Sequence, residues 1–209
     1  MSKRKHAGKG PYHHGDLRRA LLGVAASLIS ENGVADLSLR EVAKIAGVSH
    51  AAPYRHFHNK TAMIEALAAE GFDRLKDGCQ DACRRYPNDP ARQLVEAGLA
   101  YLEFAIEKPA IVQLMFGGVI SLPESGADLK QHASVAFGSL VDIVKGGQDA
   151  ELFRQGNPFD LTLTAWSTVY GLSLMIRTGL IPDRAGTKRQ IKTLGKTVAA
   201  VLLSGMQKR

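Results

Sequence analysis

Cysteine is scarce in this sequence of 209 residues, which contains only Cys79 and Cys83. Two cysteines exclude the framework of several disulfides that is typical of small secreted domains, and they exclude a zinc site with four thiolate ligands. The i, i+4 spacing of the pair on a predicted helix does not give the backbone geometry that a disulfide prefers. We expect both thiols to be reduced, and the sequence leaves a redox role open.

Long apolar runs are missing as well. The two longest uncharged stretches, 109–123 and 161–176, are shorter than the ~20 apolar residues that a bilayer-spanning helix requires. The basic residues near the N-terminus are not followed by an apolar segment, so we predict no signal peptide. These features predict a cytoplasmic protein without membrane association.

Motifs typical of enzymes are also lacking. We find no Gly-x-Ser-x-Gly elbow, no His-Glu-x-x-His zinc motif, no P-loop and no dinucleotide-binding fingerprint. The histidines near the N-terminus are not accompanied by thiolates at the spacing of a zinc site. The sequence therefore predicts that the protein is not an enzyme and that it uses no metal and no cofactor.

Positive charge is concentrated in the first part of the chain. The formal net charge is +7, and residues 1–60 hold ten Lys and Arg against four Asp and Glu, whereas residues 61–209 hold seventeen against sixteen. A basic region attached to an electrically balanced one is compatible with a polyanionic partner, because released counterions favour the complex. A solvated basic tail at residues 3–9 with scattered surface charge is the alternative.

Apolar residues recur with the period of a helix along most of the chain, and Gly and Pro mark the breaks. We find no sustained strand alternation and no internal repeat. The predicted fold class is all-α. The predicted helices cover residues 16–30, 38–46, 49–57, 59–85, 94–108, 111–116, 129–144, 159–178 and 187–205.

Residues 38–57 have the pattern of a helix-turn-helix. Ser38 and Glu41 form a predicted capping box, Gly47 ends the first short helix, and Ser49 is expected to cap the second. The second helix of such a motif projects from the surface and fits the ~12 Å width of the major groove of DNA. Some proteins with this motif bind no DNA, so the motif alone leaves the function open.

Residues 37–49, with the sequence LSLREVAKIAGVS, together with Tyr54 and Lys60, resemble the DNA-binding domain of TetR/AcrR-type transcriptional regulators. The resemblance implies a basic arm at 1–14, a helix-turn-helix DNA-binding domain at 15–62, and a helical effector-binding and dimerisation domain at 63–209. It also implies a homodimer that binds a pseudo-palindromic operator in double-stranded DNA. The expected function is that of a repressor that a small-molecule effector releases from this operator.

The resemblance implies DNA contacts for Arg40, Tyr54 and Lys60. Position in the motif adds Ser49, His50, Ala51 and His56 to the expected DNA contacts. Tyr54 and Lys60 are expected to bind phosphates, because a phenolic hydroxyl and an ammonium group donate well to phosphate oxygens. Ser49 is expected to cap the recognition helix near a phosphate. His56 is expected either to contact a phosphate or to pack at the edge of the domain.

For the contacts with DNA bases, the sequence leaves alternatives open. Arg40 is expected to contact a base edge or a phosphate, with an exposed pairing to Glu41 as the alternative. His50 and Ala51 begin the recognition helix, where they either contact bases or form inert surface. Pro53 departs from the bulky apolar residue usual in the family, and we expect it to shift the recognition helix slightly.

The second half of the chain carries a weaker resemblance. Residues 166–171 resemble the signature of a TetR-type C-terminal domain named for its Trp, His and Gly, with Tyr170 in the position of the histidine. The absence of charge over 161–176 favours an apolar or aromatic effector over an anionic one. The helices at 159–178 and 187–205 are expected to form the dimer interface. The expected pocket residues, each of which could instead be plain core, are Tyr101, Phe104, Met115, Phe116, Phe137, Trp166 and Tyr170.

Overall fold

The structure is a computed structural model that describes residues 14–208. The basic arm predicted at 1–14, including residues 3–9, thus lies outside the described residues except for its last position. Within the described range the chain is helical and contains no strand, which confirms the all-α prediction. The α-helices are α1 (His14–Asn32), α2 (Leu39–Ile45), α3 (Lys60–Arg85), α4 (Pro90–Glu107), α5 (Pro109–Phe116), α6 (Ala127–Asp149), α7 (Pro158–Arg177), α8 (Pro182–Ala185) and α9 (Lys188–Met206).

Side-chain caps explain where several of these helices begin. The Ser38 hydroxyl accepts a hydrogen bond from the Glu41 amide at 3.2 Å, as the capping-box pattern predicts. The Asn59 side chain accepts from the Ala62 amide at 2.8 Å at the start of α3. Each cap satisfies an amide that has no partner within the first turn of its helix.

The chain divides into two compact units between Ile64 and Glu65, two residues after the predicted boundary. The first unit contains α1, α2 and the beginning of α3, and its core includes Leu21, Val42 and Phe57. In the second unit, α4 packs against α6, α7 and α9. Because α4 is surrounded in this way, nine of its eighteen residues are buried.

The uncharged stretch at 161–176 lies in α7, where it contributes Leu161, Ala165 and Leu172 to the core of the second unit. None of the helices between residues 14 and 208 is long and apolar enough to cross a membrane.

Candidate nucleic-acid interface and effector cavity

The turn between α2 and the next segment is built around Gly47. This residue has φ +68°, a left-handed conformation that glycine adopts without the steric cost of a Cβ atom. The Val48 amide donates to the Ala43 carbonyl at 3.0 Å and the Gly47 amide donates to the Lys44 carbonyl at 3.2 Å. This pair of bonds is a Schellman motif, which ends α2 sharply and fixes the direction of the chain that follows.

The segment at 49–57, here called the recognition segment, is not the α-helix that the sequence predicts. It forms a turn followed by a 3-10 helix at Pro53–Arg55. Pro53 has no amide hydrogen, so it cannot donate to the Ser49 carbonyl as a regular α-helix requires. The Ser49 carbonyl instead accepts from the Ala52 amide at 2.9 Å, a shorter i to i+3 connection. The expectation that Pro53 would only shift a recognition helix is therefore wrong.

Ser49 does not cap this segment with its side chain. The residue before the 3-10 helix is Ala52, and no side chain accepts a hydrogen bond from that end. The expected cap is absent because Pro53 tightens the segment into a turn, where the Ser49 carbonyl rather than its hydroxyl receives the amide. Ser49 remains exposed beside the turn.

The recognition segment has one buried side and one exposed side. Ala52, Pro53 and Phe57 are buried and attach the segment to the core of the first unit. The Arg18 guanidinium lies 5.3 Å from the centre of the Phe57 ring and covers it. On the opposite side, four neighbouring side chains are exposed, namely His50, Ala51, Tyr54 and Arg55.

Tyr54 is the largest of these exposed groups, with 51% of its surface accessible. Its phenolic hydroxyl can both donate and accept a hydrogen bond. His56 is half-buried, and its ring centre lies 6.3 Å from that of Phe57. His56 thus lies beside Phe57 at the edge of the first unit, and its phosphate contact stays a prediction.

Lys60 is half-buried at the start of α3, where its Nζ atom donates to the Ala35 carbonyl at 2.7 Å. This bond connects α3 to the loop between α1 and α2. An ammonium group has three N–H donors, so two remain available to another acceptor. The sequence pattern gave no indication of this second role for Lys60.

Three exposed cations accompany these groups on the first unit. Arg40 and Lys44 lie one turn apart on α2, and Arg55 follows Tyr54 in the recognition segment. No ion pair between Arg40 and Glu41 occurs in the described structure. Lys44 and Arg55 are not among the DNA contacts that the sequence predicts.

The second unit contains a partly open cavity of about 130 Å³. Its walls come from α3, α4, α6, α7 and α9, with one residue at the end of α5. Four of the seven predicted pocket residues line it, namely Tyr101, Phe116, Phe137 and Trp166. The Tyr101 and Trp166 ring centres lie 4.8 Å apart, and those of Phe116 and Trp166 lie 5.2 Å apart.

The other three predicted pocket residues do not line this cavity. Phe104 lies further along α4, beyond the last cavity residue of that helix, Leu102. Met115 instead packs against α3 at Gly71. Tyr170 stacks on Trp166, with its ring centre 6.1 Å from that of Trp166. Sequence spacing placed these residues on the right helices but could not distinguish which side of each helix faces the cavity.

Cys79 lies in the cavity wall and Cys83 one turn further along α3, and neither forms a disulfide. Burial raises the pKa of the Cys79 thiol to about 12, with a smaller contribution from Cys83. Burial also raises the pKa of Cys83, and the nearby Asp142 carboxylate adds to this effect. Both thiols are therefore protonated at neutral pH.

We expect Cys79 to react slowly with iodoacetamide in the folded protein. Only the thiolate is nucleophilic, and a rise of the pKa from 9.0 to about 12 lowers the thiolate fraction at pH 8 by roughly a thousandfold. The rate should be measured on a Cys83→Ser variant, folded and in urea. The fold favours the protonated form of the Cys79 thiol. The stability gained from the protonated thiol is therefore present below pH 9 and is lost as the pH rises towards 12. Equal rates in the folded and unfolded states would contradict this account.

Two family descriptions match the chain. Residues 21–67 match "Bacterial regulatory proteins, tetR family", and residues 94–194 match "Tetracyclin repressor-like, C-terminal domain". The first match includes the turn at Gly47 and the recognition segment, and the second includes most of the cavity wall. The more specific Trp-His-Gly signature at 166–171 stays a prediction.

Individual relatives agree with these matches. The chain is 28% identical to the nucleoid occlusion factor SlmA of Actinobacillus pleuropneumoniae over 133 residues, 64% of each chain. It is 31% identical to the HTH-type transcriptional regulator AcrR of Shigella flexneri over 91 residues, 44% of this chain and 42% of that protein. The matched region thus spans 64% of the length of the SlmA protein and 42% of the length of the AcrR protein.

A solved structure covers more of the chain. The structure of a protein with unknown function from Rhodococcus sp. RHA1 is 29% identical, covers 96% of this chain and 100% of its own, and superposes with a TM-score of 0.83. Both family matches name one family. The first match covers the helix-turn-helix, and the second covers most of the helical second unit. The chain belongs to the TetR family of bacterial regulatory proteins.

Proposed function

We propose that this protein is a ligand-responsive transcriptional regulator that binds operator DNA, and that it acts as a repressor released by a small-molecule effector. The observation that carries the proposal is the exposed side of the recognition segment. His50, Ala51 and Tyr54 face solvent from a turn that is held by buried Pro53 and Phe57. A regulator of this kind works in the cytoplasm, where the operator is accessible.

The recognition segment enters the major groove in this proposal. His50 donates to an acceptor on guanine or adenine, and the Ala51 methyl group contacts a thymine methyl group. A 3-10 turn is shorter than the usual recognition helix, so it presents fewer base-reading side chains. Phosphate contacts therefore supply a large part of the affinity.

The phosphate contacts come from the groups around the segment. The Tyr54 hydroxyl and the two remaining N–H donors of Lys60 bind phosphate oxygens, and Arg55 and Arg40 add charge-assisted contacts. Lys60 also holds the loop at Ala35, so a phosphate bound there would connect the DNA to three parts of the first unit. The half-buried His56 supports the segment from its inner side.

The dimer is proposed to form through α7 and α9. One side of α7 carries Phe159, Leu163 and Leu174, which are all about half exposed. The neighbouring side of α9 carries Val201, 70% exposed, among small uncharged residues such as Thr197. These two helices pack against each other, so their exposed sides form one uncharged apolar surface. A two-fold axis would bury this surface against its own copy.

The effector is proposed to bind in the cavity of the second unit. The cavity wall includes Phe72 and Cys79 of α3, a helix that begins at the predicted DNA contact Lys60. It also includes Val198 of α9, next to the proposed dimer surface. A ligand that favours one arrangement of these helices shifts the population towards dimers whose DNA-binding units no longer match the operator spacing.

We expect Tyr54→Phe to weaken duplex binding about tenfold, because it removes one hydrogen bond to a phosphate. Lys60→Ala should weaken binding roughly ten- to hundredfold and reduce the slope of log Kd against log salt concentration by about 1. Bound fragments are first selected from genomic DNA, and binding of the variants is then titrated by fluorescence anisotropy at several salt concentrations.

Two matched variants in the second unit serve as controls. Tyr86→Phe and Lys196→Ala make the same chemical changes at a half-buried tyrosine and an exposed lysine that both belong to the second unit. Both should bind the selected duplex like the unaltered protein. A helical ligand-binding protein without a DNA function would select no fragments, and that result would refute the proposal. A loss of affinity in Lys60→Ala without a change of salt slope would mean that Lys60 only positions the loop at Ala35.

A further inference from the structure

The chemical nature of the cavity wall restricts what can bind there. None of the described residues that line the cavity carries a charge. Apart from Cys79, the wall consists of aliphatic and aromatic residues and of glycines, and the small residues on α4 and α9 are Ala97, Gly98, Gly195 and Ala199. Trp166 is in contact with the rings of Tyr101 and Phe116 on two sides. Such a wall presents several aromatic faces to one small space.

The hydroxyl and thiol groups at this wall are engaged or protonated, whereas the buried Nε atom of Arg177, which acts electrostatically on Tyr101, has no hydrogen-bond partner among the described residues. The Ser173 hydroxyl donates to the Tyr170 carbonyl at 2.7 Å, so its own hydrogen is used. The Tyr101 hydroxyl lies 3.2 Å from the Ser173 oxygen and must therefore donate its hydrogen to it. The Cys79 thiol is protonated, because burial raises its pKa to about 12. No charged side chain in the described wall is available to pair with an anionic ligand, and the Trp166 indole N–H there is a neutral donor.

The volume of the cavity sets the size of the ligand. Pockets for drug-sized molecules measure ~300–1,000 Å³, whereas a cavity of ~150 Å³ lined by Leu, Ile and Phe is known to bind benzene. The volume of about 130 Å³ here is close to the second case. The space accommodates one ring with a short substituent, without displacement of the wall.

We propose that the effector is a neutral molecule built on a single aromatic ring with at most a short alkyl substituent. This inference rests on the proposed function, because it names the ligand class of the same regulator. An ionised carboxylate in this wall would lose hydration without gaining a cationic partner, so we expect acids of the same shape to bind more weakly. Edge-to-face and stacked contacts with Trp166, Tyr101 and Phe116 favour an aromatic ring over a saturated one.

The test uses three probes of similar size: ethylbenzene, ethylcyclohexane and benzoate. Trp166 is the single tryptophan of the sequence and lies in the cavity wall, so its fluorescence reports on the cavity directly. Ethylbenzene is expected to change this emission and, at about ten times its Kd, to raise Tm by about 2–6 °C. Ethylcyclohexane should bind about fivefold more weakly, and benzoate should cause neither change.

Two glycine variants locate the binding site. A Cβ atom at Gly98 would meet Val169 Cγ2 at 3.8 Å, an ordinary contact, so Gly98→Leu extends into the cavity without a backbone clash. Gly138 lies on α6 away from the cavity wall, and a Cβ atom there would meet nothing within 4 Å. We expect Gly98→Leu to lose the response to ethylbenzene and the matched control Gly138→Leu to keep it. Circular dichroism of both variants checks that they fold.

The possible outcomes separate this inference from the function on which it rests. If the protein binds its selected DNA but ethylbenzene changes neither Trp166 emission nor Tm, or if benzoate acts equally well, the ligand class is refuted and the regulator stands. If ethylbenzene binds but no DNA is selected, the proposed function is refuted. If ethylbenzene binds in the cavity but leaves the DNA complex intact, neutral molecules with a single aromatic ring are not the effectors. Release of the DNA by ethylbenzene, lost in Gly98→Leu, supports the proposal.

Discussion

Replacement of Val201 by glutamate is expected to leave the protein monomeric at micromolar concentration. Val201 is 70% exposed in the single chain, at the centre of the uncharged side of α9. A two-fold axis would place two such carboxylates in one interface, where each loses its hydration. The positions one turn away on α9, Thr197 and Gly205, offer no cation that could pair with the new charge.

The expected effect is large. An unpaired buried charge costs about 3–5 kcal/mol, so the dissociation constant of the dimer should rise by roughly 10²–10³-fold or more. Sedimentation equilibrium over a range of concentrations measures this constant. The matched control is Val135→Glu, because Val135 is 41% exposed on α6, outside the proposed surface. A Val201→Glu variant that remains as dimeric as this control would show that the interface lies elsewhere.

Phe153→Ala is expected to lower the free energy of unfolding by about 3–5 kcal/mol. The Phe153 ring is fully buried between α6 and α9, in a cluster with Val144, Leu161 and Met206. Its close approach to α6 requires glycine at 147, because a Cβ atom there would collide with the ring. Truncation would leave a cavity that this tightly packed region cannot fill by local movement.

Backbone hydrogen bonds around Phe153 explain why the surroundings are rigid. The Phe153 amide donates to the Gly147 carbonyl at 3.0 Å, and the Arg154 amide donates to the Met206 carbonyl at 2.8 Å. The segment after α6 is thus held to the end of α9. Urea unfolding followed by circular dichroism at one fixed protein concentration gives the change in free energy. Leu152→Ala, at the adjacent exposed position, should cost less than about 1 kcal/mol, and an equal cost for both variants would contradict this role of Phe153.

The helices α7 and α9 take part both in the proposed dimer interface and in the cavity. Each of these helices contributes one side to the cavity, with Trp166 and Val198, and another side to the proposed dimer surface, with Leu163 and Val201. A ligand that moves the inner side of either helix therefore also moves the outer side. This arrangement gives the effector a physical connection to the pairing of the two protomers.

In the recognition segment, the period of apolar residues and the capping residue are not enough to predict the type of helix. Ser49 followed by an apolar pattern predicts a capped α-helix, and His50 and Tyr54 have the spacing of neighbours on one face of it. The effect of Pro53 is larger than the slight shift expected, because the loss of one amide in a segment of only a few residues removes much of its hydrogen bonding. The side chains expected to be exposed are exposed nevertheless, since the buried anchor Phe57 orients the segment.

The sequence by itself determined the all-α class, the helix starts at Ser38 and Asn59, and the sharp turn at Gly47. These features depend on interactions between residues a few positions apart, which the order of residues specifies directly. Only the tertiary structure decided that Lys60 binds the Ala35 carbonyl and that Trp166 faces a cavity that Tyr170 does not line. Such contacts join parts of the chain that are distant in sequence, and the packing of whole helices selects them among many alternatives with the same periodicity.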